Sequence, residues 1–187
     1  MTAAESLRQF VDALERAGVP YMLTGSYASS YHALPRATRD LDFVIWPTRE
    51  QIRALVAELP RGEFYVDERV ALEALNSYGQ FNAISLATGW KADFIIRKPR
   101  PFSETEFSRR YRASLDGVEL TIATAEDVLL AKLEWAKLGE SSRQIEDAAE
   151  ILKARNAQLD HAYLTQWIRQ LGVDPQWEAA LRVAGIG

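Results

Sequence analysis

The sequence predicts an α+β protein, a mixed β-sheet flanked by helices over residues 1–123 followed by a C-terminal helical bundle over residues 124–187. Two observations predict it. Up to Thr124, short apolar runs bounded by Gly, Pro or Asp-Gly alternate with amphipathic helical segments; beyond Thr124 the strand-like runs stop and only helical periodicity remains. The chain has 187 residues, 48% of them apolar, enough for a sizeable core.

The elements follow in order. Thr2 and Glu5 have capping-box spacing, and Leu7, Phe10, Val11 and Leu14 recur at helical period before Gly18, so a helix is expected over 1–17. Pro20 opens a strand from Tyr21 to Thr24, which ends at Gly25-Ser26. A helix is expected from Ser26 to Leu34, stopped by Pro35. Residues 39–46 read as a strand closed by Pro47, and Thr48 to Leu59 as a helix; residues 60–80 receive no assignment. Phe81–Leu86 and Trp90–Ile96 read as strands joined at Thr88-Gly89. Ser103 and Glu106 suggest a capped helix to about Arg112, and Asp116-Gly117 turns a hairpin into Val118–Ile122. Four helices are expected at about 125–138, 142–155, 161–171 and 175–184, with Thr124/Asp127, Ser141/Gln144, Asp160 and Asp174-Pro175 as N-caps.

Composition narrows the chemistry. The absence of cysteine excludes disulfides, thiolate zinc sites and cysteine nucleophiles. Two histidines, His32 and His161, leave little for a histidine metal cage or a Ser-His-Asp relay, so a bound metal would be a hard cation held by carboxylates. No run approaches the roughly 20 apolar residues of a membrane span, and no apolar signal core follows Met1; the expectation is a cytoplasmic protein with no membrane partner. A net charge of -4 argues against a whole-surface nucleic-acid binder and leaves room for a local basic patch.

Three features point to a site. Gly25-Ser26 stands where a strand gives way to a helix: glycine allows close backbone approach and the helix start offers free N–H groups, a seat for phosphate, although the same dipeptide also makes an ordinary turn. Thirteen residues later comes Asp40-Leu41-Asp42, opening an apolar strand. Residues two apart face one side, so the two carboxylates repel, and a divalent cation between them would remove that cost. A solvated strand start in which Asp40 answers Arg39 or Arg36 is the plainer alternative. Asp93 is a third strand carboxylate, with Lys91 on its face as a possible ion-pair partner. Three acids on neighbouring strands beside a phosphate seat are what two-metal phosphoryl or nucleotidyl transfer requires.

These residues, Gly25-Ser26, Asp40-Leu41-Asp42-Phe43 and Asp93, resemble the signature of the nucleotidyltransferase superfamily related to DNA polymerase β, over about residues 20–96. Thr38-Arg39-Asp40-Leu41-Asp42 and Glu126–Trp135 bring the resemblance nearest the toxin-type nucleotidyltransferases of abortive-infection and toxin–antitoxin systems, to about residue 155. The resemblance implies a nucleotidyltransferase-like core at 1–123 and an enzyme that moves a nucleoside monophosphate from an NTP to a hydroxyl acceptor with Mg²⁺ or Mn²⁺, releasing pyrophosphate. It implies that Gly25 and Ser26 hold the triphosphate, that Asp40, Asp42 and Asp93 ligate metal, and that Lys132 grips phosphate. Lys132, Arg143 and Asp147 match the toxin branch in order and spacing, and whether Asp93 or Asp147 is the base stays open. The acceptor could be RNA such as tRNA, or a protein, and a cognate antitoxin could be a partner. The chain departs from the branch in Tyr27-Ala28-Ser29-Ser30 and in having both Asp93 and Lys132/Asp147. An antibiotic-type, small-molecule transferase and a non-catalytic nucleotide- or partner-binding module are the alternatives.

The remaining signals read more plainly. His32 reads as helix packing and His161 as a helix start. Trp90, Trp135, Trp167 and Trp177 read as core, with Trp135 also able to flank a base. The basic clusters Arg97–Arg100 and Arg109–Arg112 read as solvated surface that could serve as a phosphate track for RNA.

Overall fold

A computed structural model describes residues 2–34 and 38–186. Pro35 and Arg36, invoked above as a helix stop and a possible partner of Asp40, lie outside the described residues. The chain forms two compact units, one built from residues 2–24 and 38–122, the other from 25–34 and 123–186.

The first unit opens with α1 (Ala3–Arg16). Thr2 accepts from the Glu5 amide, and the Glu5 carboxylate accepts from the Thr2 amide, so the expected capping box is made. Then come β1 (Tyr21–Thr24), β2 (Asp40–Ile45), α3 (Arg49–Ala57), β3 (Phe64–Tyr65), α4 (Glu68–Ser77), β4 (Gln80–Ser85), β5 (Lys91–Ile96), α5 (Pro101–Arg109), β6 (Tyr111–Leu115) and β7 (Val118–Ile122); α2 belongs to the second unit. The seven strands form one mixed sheet in the order β3-β4-β5-β2-β1-β7-β6. The pairs β2/β5 and β1/β7 are parallel and the others antiparallel.

Alternation along the central strands sends Leu41, Phe43 and Ile45, with Ala92, Phe94 and Ile96, into a fully buried layer. Phe10 of α1 lies edge-on to Phe64 and Phe94, at 5.5 and 6.5 Å between ring centres. Phe94 also stacks on Phe43 at 5.9 Å. Burying side chains of this size contributes about 1.5–3 kcal/mol each and fixes which face of β2 and β5 turns inward.

Two elements differ from the sequence reading. The helix expected from Ser103 to about Arg112 starts at Pro101, a residue suited to the first helical position, and ends at Arg109; Ser103 and Glu106 are buried within it. Tyr111–Leu115 pairs antiparallel with β7 instead, through a turn in which Asp116 and Gly117 both have positive φ, 52° and 74°. Cross-strand pairing with a ready partner prevails over local helical spacing. Residues 60–80, unassigned above, hold β3 and α4, whose cap is Asp67 accepting from the Val70 amide.

The second unit comprises α2 (Gly25–His32), α6 (Ala125–Gly139), α7 (Ser142–Arg155), α8 (His161–Leu171) and α9 (Asp174–Ala184). Thr124 and Asp160 cap α6 and α8 as expected. Ser141 makes no side-chain cap bond, and Val173 rather than Asp174 is the N-cap of α9. Leu129, Leu130, Leu133, Ala148, Ile151 and Leu152 are fully buried. Among the described residues no helix is long and apolar enough to cross a membrane.

Candidate functional site

The register of the first unit's sheet aligns its polar residues. Thr24 pairs with Asp42, Asp42 with Asp93, and Asp93 with Asn82, so Thr24, Asp42, Asp93 and Asn82 form one transverse row across β1, β2, β5 and β4. Paired residues share a face, and strands lie about 4.8 Å apart, so the two aspartates stand side by side opposite the phenylalanine layer. One strand step away, Asp40 pairs with Lys91. Thr24 is buried, Asp42 and Asp93 are half-buried, and Asp40 is exposed.

Lys91 manages the charge. Its Nζ donates to Asp93 Oδ2 at 2.8 Å and lies 3.6 Å from Asp40 Oδ1. The hydrogen bond to Asp93 holds the Lys91 ammonium above its ordinary pKa, aided by the nearby charges of Asp93 and Asp40 and opposed by partial burial. A cation therefore already answers these carboxylates, and the donors are all oxygen, which suits Mg²⁺ or Mn²⁺. Among the described residues, no three His, Asp or Glu side chains are gathered closely enough to hold a metal as they stand. Asp42 and Asp93 are adjacent, whereas Asp40 lies a step away and shares Lys91 with Asp93.

In the second unit, Gly25 opens α2 with φ +66°, a conformation that strains any residue with a Cβ. Ser26, next on α2, accepts from Lys132 Nζ at 3.2 Å. Lys132 reaches from α6, is only 3% exposed, and donates to Asp147 Oδ2 of α7 at 2.8 Å. Three sequence-selected residues from three helices thus meet in one buried polar cluster, while Arg143 is exposed. A buried ion pair of this kind is held by geometry and costs heavily if one partner is removed.

The secondary signals sort as follows. His32 is buried; its Nε2 donates to the Ala123 carbonyl at 2.8 Å, and Nδ1 has no partner among the described residues. Burial pushes its pKa below the ordinary imidazole value, so helix packing is its role. His161 bonds to the Asn156 carbonyl at the start of α8. Trp90 and Trp167 are core, but Trp135, expected in the core, is 53% exposed. The basic clusters are not simply solvated. Arg97 stacks over the Trp46 ring at 3.8 Å, Arg110 lies over Phe107 at 3.9 Å, and Arg112 pairs with Glu15 at 2.7 Å. Sequence reasoning missed Thr24 and Asn82, whose only signal is cross-strand register, and the Trp46–Arg97 stack.

No family model matches the sequence, and no curated protein matches it. Solved structures do. An antigenic nucleotidyltransferase-like protein from Paracoccidioides brasiliensis is 15% identical with a TM-score of 0.59, the match covering 96% of this chain and 92% of that one. The fold is that of nucleotidyltransferase-like proteins. The antibiotic-resistance factor ANT(2'')-Ia is similar in its complex with adenylyl-2''-tobramycin, at 13% identity and a TM-score of 0.54, over 99% of this chain and 98% of that one. Its solution structure matches at 13% identity and 0.53, over 97% of each chain.

Proposed function

We propose that this protein is a metal-dependent nucleotidyltransferase that moves a nucleoside monophosphate from an NTP to a hydroxyl acceptor and releases pyrophosphate. The observation that carries the reading is the in-register pair Asp42–Asp93 on the open strand face, a juxtaposition of like charges that sheet stability disfavours. Asp42 and Asp93, with Asp40 swinging in, would hold Mg²⁺ or Mn²⁺. Such an ion neutralises triphosphate oxygens and lowers the pKa of an acceptor hydroxyl. Lys91 offsets the charge of Asp93 and Asp40 until a cation takes its place. In the second unit, Gly25 and Ser26 offer backbone and hydroxyl donors to phosphate, and Lys132, oriented by Asp147, would add its Nζ to the same phosphate. Asp93 is the proposed base for the acceptor hydroxyl, since its partner Lys91 is partly exposed and exchangeable, whereas Asp147 is held to Lys132 in a buried pair.

The toxin-type assignment, with RNA or protein as acceptor and a cognate antitoxin as partner, is supported by the meeting of Lys132 and Asp147, two residues that match the toxin branch in order and spacing. A small-molecule acceptor is the second reading, favoured by the end-to-end likeness to ANT(2'')-Ia, whose structure holds an adenylylated aminoglycoside. The test is pyrophosphate release from each of the four NTPs with Mg²⁺ or Mn²⁺, with total RNA, protein extract and aminoglycosides as acceptors. Metal-dependent release that falls at least about 100-fold in Asp42→Asn is expected. No release with any nucleotide and acceptor leaves a non-catalytic module of this fold.

A further inference from the structure

The row of Trp46 and Arg97 lies on the same sheet face as the aspartates. Counting by twos along β2 gives Asp40, Asp42, Val44 and Trp46; along β5 it gives Lys91, Asp93, Ile95 and Arg97. The ladder continues past both strand ends, because the Trp46 amide donates to the Pro20 carbonyl and the Arg97 amide to the Ile45 carbonyl, both at 2.9 Å. Four residues at about 3.3 Å each place Trp46 and Arg97 about 13 Å from Asp42 and Asp93.

What is gathered there is unusual for a strand end. The Arg97 guanidinium lies between two rings, 3.8 Å from the Trp46 centre and 5.9 Å from that of Phe107. Arg110 lies 3.9 Å over the same Phe107 and donates to its carbonyl. Two guanidiniums therefore share one ring. Burial, and secondarily the charge of Arg97, push Arg110 below its ordinary pKa. The anionic answer is weak: Glu104, its side chain 58% exposed, reaches Arg97 only at 3.5 Å. Arg97 Nε is buried and has no hydrogen-bond partner among the described residues. A cation this poorly answered is costly, and a second anion at its outer guanidinium nitrogens would relieve it. Trp46, 41% exposed, adds a ring on which a planar group can stack.

We infer that Trp46, Arg97 and Arg110 form an acceptor subsite for a nucleotide unit of a single-stranded nucleic acid, its phosphate taken by the two guanidiniums and its base stacked on Trp46. The inference rests on the transfer reading for the word acceptor, since the reacting hydroxyl would lie toward Asp93, about 13 Å along the face. A phosphate without a ring would leave Trp46 unused, and a planar molecule without an anion would leave the guanidiniums of Arg97 and Arg110 answered only by Glu104.

The test is binding, without NTP or metal, of a fluorescein-labelled single-stranded RNA hexanucleotide at about 50 mM salt, read by anisotropy on the full chain. Trp46→Leu is expected to weaken binding about 5- to 150-fold. Arg97→Met with Arg110→Met, which keeps the stacked methylenes, should weaken it at least about tenfold and flatten the salt slope by about 1.4. Glu104→Gln, an exposed change that leaves the core alone, should tighten it roughly threefold, whereas Glu73→Gln elsewhere on the unit should not. No binding by the wild type, equal binding by all variants, or a loss in the arginine variants without one in Trp46→Leu each overturn the assignment. RNA binding by a protein that transfers nothing would sink the transfer reading and leave the subsite, and transfer to protein or aminoglycoside without RNA binding would sink the subsite alone.

Discussion

The two units handle charge in opposite ways. In the first, Asp40, Asp42 and Asp93 sit on an open strand face, and Asp40 and Asp93 share one lysine, whose side chain is 35% exposed. In the second, charges are sealed in: Lys132 is held between Asp147 and Ser26, and Asp127, fully buried, accepts from the Thr124 and Tyr163 hydroxyls at 2.6 and 2.5 Å. A buried, fully paired charge has one arrangement and specifies the packing around it. An open row with a surplus of negative charge can exchange its cation at little cost. The first pattern suits a place where ions come and go, the second a frame that presents a preset ammonium.

That contrast can be broken by substitution. Lys132→Met removes the ammonium that pairs with the buried Asp147, so the loss of stability should be about 3–5 kcal/mol by chemical denaturation. A loss near zero would mean that the second unit is as adaptable as the first. Tyr163→Phe removes a hydroxyl donor to Asp127 and should cost about 1–3 kcal/mol by the same measurement.

Acid sharpens the contrast through His32. Its folded pKa lies below its unfolded value, near 6.5, because burial disfavours the imidazolium. Between the two values the unfolded chain binds the extra proton, so His32 contributes stability above about pH 6.5 that is lost as pH falls through the folded pKa. The slope from this residue cannot exceed about 1.4 kcal/mol per pH unit, and melting temperatures of wild type and His32→Gln between pH 7.5 and 5 should show it. Parallel curves would assign the acid sensitivity elsewhere. The smallest effect is expected in the first unit, where Lys91→Met should change stability by less than about 1 kcal/mol, its ion pairs being partly solvent-screened.

Much of this was legible in the sequence, for identifiable reasons. Caps such as Thr2/Glu5, Thr124 and Asp160 are local chemistry, and so were the strand boundaries at Pro20 and Thr88-Gly89. Asp42 and Asp93 stood out as charge on apolar strands, and Lys132 and Asp147 through the resemblance in order and spacing. Their neighbours did not. Thr24 and Asn82 join the aspartates only through strand order, and Arg97 looks like any surface arginine until Trp46 and Phe107 close around it. Helix α4 and strand β6 depend on partners distant in the chain, which local periodicity cannot supply.

The central claim is that the Asp42–Asp93 pair is a cation site for which Lys91 stands in. It is tested most directly by titrating Mn²⁺ into the wild type, Lys91→Met, Asp42→Asn and Asp93→Asn and reading bound ion by electron paramagnetic resonance. The account predicts that Lys91→Met binds roughly three- to tenfold more tightly than the wild type, because the competing ammonium is gone, and that both asparagine variants bind at least about tenfold more weakly. Equal affinity in all four proteins, or weaker binding in Lys91→Met, would contradict it.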